Sequence, residues 1–99
     1  MKQTKIVIPH GSCICTFYNN GKADVMIIDS VEVDQAHRGI GVGTKIIEQA
    51  IELAEKEGVD SVELNVNRDN IVAVKLYEKM GFSRTNKYYY RLIISKNGS

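Results

Sequence analysis

Tryptophan is absent from these 99 residues, proline occurs once and cysteine only twice. Each scarcity excludes a class of protein. Two cysteines cannot staple a small secreted domain, which needs several bridges to offset a small core. Cys13 and Cys15 stand two apart in a strand-like run, on one face but poorly placed to bridge each other. With no partnering Cys or His cluster the expectation is no metal, and the thiols read as small core residues in a reducing compartment. Pro9 is the lone proline, and no linker, repeat or low-complexity tract divides the chain. Surplus charge is lacking as well. The net charge of +1 gives no bulk attraction to nucleic acid or to an anionic membrane. No apolar run approaches a membrane span, and the N-terminus has no signal-peptide core. The expectation is one soluble, cytoplasmic domain over residues 1–99, with no nucleic acid and no membrane as partner. A hydrophobic content of 43% supplies one core, near the lower end of comfortable size.

What is present is an alternation of β and α patterns. Residues 6–8 form a short β-like run ended by Pro9. Residues 12–18 and 23–33 flank Asn19-Asn20-Gly21-Lys22, whose Asn20-Gly21 pair signals a type I′ hairpin. In the second arm Val25, Ile27, Asp29, Val31 and Val33 share one face, and Met26, Ile28, Ser30 and Glu32 the other. Apolar residues on both faces as far as Ile28 predict a central strand covered on both sides. Over residues 44–57 the period becomes helical: Ile46, Ile47, Ala50, Ile51 and Ala54 make one stripe, and Gly58 supplies a left-handed stop. Residues 62–66 alternate as a strand. Asp69 or Asn70 is a suitable N-cap for a second helix over 71–80, which Gly81 ends. Residues 82–85 and 87–94 complete a β-β-β-α-β-α-β-β order, an α/β fold with a mixed sheet in a single layer and two helices.

The junction between the long strand and the first helix carries the chemistry. Arg38, Gly39, Ile40, Gly41, Val42, Gly43 and Thr44 turn the chain sharply into the helix. The first N–H groups of that helix have no partners, and with the helix dipole they form an anion site. Glycines at 39, 41 and 43 allow close backbone approach and positive φ, and Arg38 adds a charge suited to phosphate oxygens. The dinucleotide fingerprint fails, because Thr44 or Ile46 stands where its third glycine belongs, and the Walker pattern fails too. What remains is R-x-x-G-x-G, read as a grip on the pyrophosphate of a nucleotide-type cofactor. A plain tight turn is the competing reading. His37, just before Arg38, is a candidate contact for a phosphate or the acceptor, with an incidental loop histidine as the competing reading, whereas His10 carries no signal.

The second helix contributes Ala73, Leu76, Tyr77 and Met80 at packing spacing. Ala73 leaves a shallow spot where a flexible ligand can lie, and Tyr77, one turn on, brings a hydroxyl that needs a partner if buried. R-x-x-G-x-G opening a helix, followed about thirty residues later by N-x-x-A-x-x-L-Y-x-x-x-G-F, resembles the GNAT superfamily of acyl-CoA-dependent N-acyltransferases. The likeness covers residues 23–94.

The resemblance implies acetyl-CoA as cosubstrate, held in a V-shaped opening between the strand ending at Val33 and the strand over 62–66. It implies that the backbone from Val31 to Val33 pairs with the pantetheine arm, and that the amides from Arg38 to Thr44 hold the pyrophosphate. Asn70 and Ala73 would flank the pantetheine, and Lys79 would reach the adenosine 3′-phosphate. The activity implied is N-acetyl transfer to a primary amine by direct attack through a tetrahedral intermediate, with a backbone N–H near Val33 facing the oxyanion. Tyr77 would be the general acid for the leaving thiolate and also touch the cofactor. Family members often carry a glutamate where this chain has Ile27. Glu32 and then Asp29 become the candidate bases, and a β-bulge would decide which one faces the cleft. The family's usual N-terminal strand and two helices are expected to be missing, a compact form with an open acceptor site. That opening suits a small-molecule or protein amine, a lysine or an N-terminus, or a homodimer in which a second subunit completes the site. Two other readings stay open: a non-catalytic acyl-CoA-binding or sensing module, and an interaction domain using Tyr88, Tyr89 and Tyr90.

Overall fold

The computed structural model describes residues 2–39, 41–67, 69–86 and 89–94. Among them run β1 (Lys2–Ile8), β2 (Gly11–Asn19), β3 (Asp24–Val33), α1 (Val42–Glu57), β4 (Ser61–Asn65), α2 (Ile71–Lys79), β5 (Ser83–Arg84) and β6 (Tyr89–Ile93), with one 3₁₀ turn, Gln35–His37, before α1. The six strands form one mixed sheet in the order β1-β2-β3-β4-β6-β5. Among the described residues only β3 and β4 pair in parallel, joined by the crossover through α1. The β-β-β-α-β-α-β-β order is therefore as expected. Lys87 and Tyr88, within the last predicted strand, lie outside the described residues.

Cys13, Cys15, Met26, Ile28, Val62, Leu64 and Tyr90 point to one face of the sheet, where both helices pack. Val42, Ile46, Ile47, Ala50 and Ala54 bury the predicted stripe of α1 against them. Completely burying a side chain such as Ile46 contributes roughly 1.5–3 kcal/mol. Gly58, at φ 73°, ends the helix by donating its N–H to Ala54 and Glu55.

Three local expectations are corrected. β1 starts at Lys2 rather than residue 6, because as an edge strand it pairs with β2 along its whole length despite its polar residues. Its Lys2 and Lys5 are the charges that keep an edge from pairing with other chains. The hairpin loop is not type I′. Asn19 pairs with Asp24, so four residues make the loop, and of its members Gly21 alone has positive φ. Asn20 Oδ1 accepts from the N–H groups of Lys22 and Ala23, both at 2.9 Å, an Asx arrangement that competes with the two-residue turn. Finally, α1 starts at Val42 rather than Thr44, so Gly43 is helical and does not take positive φ.

Gly11 is the most crowded of the described glycines. A methyl group placed there would meet Ile46 Cδ1 at 2.6 Å, Val42 Cγ1 at 2.9 Å and the Glu32 carbonyl at 3.0 Å. The start of α1 thus rests directly on β2 backbone. Gly11→Ala is expected to cost about 1–3 kcal/mol, read as a fall in thermal midpoint of about 4–8 °C per kcal/mol. Adding Ile46→Val, which removes the nearest atom, should restore part of that loss.

Candidate active site

The parallel pairing of β3 with β4 runs from Val25 and Ser61 to Ile28 and Leu64, then stops. Beyond it β3 continues to Val33 with β2 on one side only. A bulge marks the divergence. From Asp29 to Glu32 β3 takes three steps where β2 takes two, from Ile14 to Ser12. Ser30 sits in the left-handed region at φ 50°, and its N–H donates to Asp29 Oδ1 at 2.9 Å. Because Asp29 faces Ile14 and Glu32 faces Ser12, the extra residue brings both carboxylates to the sheet face away from the helices. A cavity of about 210 Å³ lies between the diverging strands, lined by Asp29, Ser30 and Val31 on one side and Asn65, Val66 and Asn67 on the other. Asp29 lines this space, and Glu32 lines neither cavity.

A larger cavity, about 580 Å³, adjoins it on the helix side. Val31, Val33, Arg38, Gly39, Gly41, Val42, Gly43 and Thr44 all line it. Ile40 lies outside the described residues. Gly41, at φ 85°, is the N-cap of α1 and no side chain caps this end; the first helical bond joins Lys45 N–H to the Gly41 carbonyl. The N–H groups of Val42, Gly43 and Thr44 therefore have no intrahelical acceptor. A diphosphate fits such a place: bare donors, the positive end of a helix dipole and the exposed Arg38 meet in one concavity.

Helix α2 forms the far wall. Asn70 caps it by accepting the Ala73 N–H at 3.2 Å, so of the two cap candidates Asn70 serves. Asn70, Ala73 and Tyr77 line both cavities, as does Val31, and make them one continuous groove. Tyr77 is half-buried, 6.0 Å from Phe82 between ring centres. Burial, and after it the nearby Cys13 thiol, push its phenol above the ordinary tyrosine value. Lys79 is exposed and lines neither cavity; it stands two turns beyond Val72 on the same helical stripe.

Three residues that line neither cavity also escaped the reading of the sequence. Gly11 gives no local signal, since its need to be small arises from α1 crossing it. Glu63 is buried beside Ile27, and Arg91 donates to its Oε2 through Nε at 2.9 Å and Nη2 at 2.7 Å. The alternation of β4 puts a carboxylate on a face that only the sheet order shows to be shared with Arg91.

Residues 9–82 match the family model of the acetyltransferase (GNAT) family. The chain belongs to that family. This GNAT domain is 37% identical over 65 residues to the uncharacterized N-acetyltransferase YobR of Bacillus subtilis, a match covering 66% of this chain and 26% of YobR. It is 30% identical over 83 residues to N-alpha-acetyltransferase 30 of Saccharomyces cerevisiae, covering 83% of this chain and 47% of that protein. Among solved structures, the crystal structure of the NatC complex bound to Gag peptide and CoA matches with a TM-score of 0.81 and 26% identity. That likeness covers 89% of this chain and 63% of the other. The GNAT domain thus spans less than half the length of these two curated relatives.

The cap at Asn70 sets the position of Ala73 and Tyr77 through one side-chain contact. Asn70→Ala is expected to cost about 1 kcal/mol, measured by urea unfolding, whereas Asn70→Asp should retain most of the stability.

Proposed function

We propose that this GNAT domain moves an acetyl group from acetyl-CoA to a primary amine, the α-amine of a protein N-terminus. One observation carries the reading: bare amides at the α1 terminus, the β3 backbone past Ile28 and the Tyr77 side chain line a single groove. The choice of an α-amine is supported by similarity to a yeast N-alpha-acetyltransferase and to a NatC structure that holds a peptide and CoA. Val31 and Val33 offer backbone groups on the side where β4 has left, as a strand offers them to a neighbour. Arg38 and the amides of Gly39 and of Gly41 to Thr44 take the diphosphate. Lys79 belongs to the same proposal, as a contact for the 3′-phosphate at the exposed end of α2. No metal enters this chemistry.

Acetyl-CoA supplies an activated thioester; the protein supplies position and protons. As the amine nitrogen bonds to the acyl carbon and the carbon–sulfur bond breaks, Tyr77 gives its proton to the departing sulfur. The raised phenol keeps that proton through the neutral and mildly alkaline range. A proton must also leave the nitrogen. Asp29, at the mouth of the groove, is the better placed acceptor, and Glu32 is the second on the same face. Buried free thiols at Cys13 and Cys15 accord with a reducing cytoplasm, and a second copy of the chain is proposed as a partner.

Mass spectrometry of peptides and cell extract incubated with labelled acetyl-CoA tests the reading. Label on α-amines is expected; label confined to lysine ε-amines would replace the acceptor. Tight coenzyme binding without transfer to any amine would make this a binding module instead. Tyr77→Phe should lower kcat by about 10²-fold or more with little change in coenzyme Kd.

Asp29→Asn, which keeps an oxygen for the Ser30 amide, should lower kcat by about 10²-fold or more, and Glu32→Gln should leave kcat nearly unchanged. On the alkaline side the sign is fixed by the raised phenol. Its stabilising contribution is complete below the unfolded value near pH 10 and is lost as pH rises through the higher folded value. Tyr77→Phe should therefore remove part of the alkaline loss of stability seen in thermal melts.

A further inference from the structure

His10 and His37 are far apart in sequence and meet at the foot of the glycine loop. Their rings stack with centres 3.4 Å apart and planes 9° from parallel. Asp34 stands beside both, its Oδ2 at 3.4 Å from His10 Nδ1 and 4.0 Å from His37 Nδ1. Each residue offers one ligand atom, and the three atoms lie within 4.8 Å of one another. Two features show that the cluster is built rather than accidental. His10 is held in the left-handed region at φ 70° in the turn between β1 and β2, where its carbonyl accepts the Asp34 N–H at 2.8 Å. His37 Nδ1 is buried and has no hydrogen-bond partner. A buried ring nitrogen without a partner is costly unless something occupies its lone pair.

We infer that His10, Asp34 and His37 bind a divalent transition-metal ion of the kind that prefers imidazole nitrogen with a carboxylate oxygen, with Zn²⁺ the representative. Two ligand atoms at about 2.1 Å from one tetrahedral ion stand roughly 3.4 Å apart. The His10–Asp34 pair already has that spacing, and the His37–Asp34 pair, now 4.0 Å apart, must close by about 0.6 Å. Rings stacked in near-parallel planes cannot both aim an in-plane lone pair at one ion, so loading turns the exposed His10 ring out of the stack. Three protein ligands leave the fourth position of a tetrahedral ion open to water. His37 also lines the larger cavity, so the ion ties the β1–β2 turn to the loop that opens α1. The inference does not rest on acyl transfer: its test reads metal binding alone, although His37 also lines the groove.

The test is calorimetric titration of the metal-free full chain with zinc chloride alone. One ion per chain is expected, with His37→Ala and His10→Asn each weakening binding by at least about tenfold. Asn is chosen because it tolerates the left-handed backbone at position 10. A double Cys13→Ser, Cys15→Ser variant should bind zinc as the parent does. Where a variant fails to fold, zinc-induced shifts of the His10 and His37 ring resonances in the parent chain read the same site. No heat in the parent, equal affinity in the histidine variants, binding lost with the thiols, or unmoved ring resonances would each overturn the assignment.

Discussion

Parallel hydrogen bonding between β3 and β4 cannot continue past Ile28 and Leu64, because the bulge at Ser30 bends β3 away. The whole groove depends on that interruption. A strand covered on both sides leaves no main chain free for a ligand, and a strand that ended at Ile28 would carry no groups onward to the glycine loop. Here β3 keeps its partner β2 while losing β4, so it stays rigid and offers one free edge. Asp29 holds the bend by accepting the Ser30 amide. One side chain thus shapes the backbone and faces the space that the bend creates.

The two helices close the groove by different means. α1 is anchored by a fully apolar stripe and by its approach to Gly11, so its uncapped N-terminus is presented from a rigid base. α2 has no buried residue and is held by a half-buried stripe and the Asn70 cap. Its wall of the groove is the less firmly held one, and elements with few buried apolar contacts open at low free energy.

The fold was legible because its signals are local. The stripe of α1, its terminal Gly58 and the alternation of β4 each follow from neighbouring residues. The glycine loop and Tyr77 were legible from motif and spacing, and the structure brings them to one groove. What the sequence hid depends on pairing between distant segments. The Asn20 side chain redirected a turn that Asn-Gly alone would make type I′. Preference between Asp29 and Glu32 could not be settled by alternation, since one inserted residue reverses the count. His10 looked idle after Pro9, and only the turn back to Asp34 brings it against His37.

The strand order divides the sheet into an N-terminal antiparallel sector, β1 to β3, and a C-terminal one, β4 with β6 and β5. Within the sheet they are joined by four paired positions, and along the chain by one crossover through α1. Non-local parallel pairing is intrinsically slow to form, because the chain between the strands must close first. A molecule lying along this seam, touching β3 on one side and α2 on the other, acts as a rivet. Occupancy would then be felt as resistance to unzipping across the whole domain.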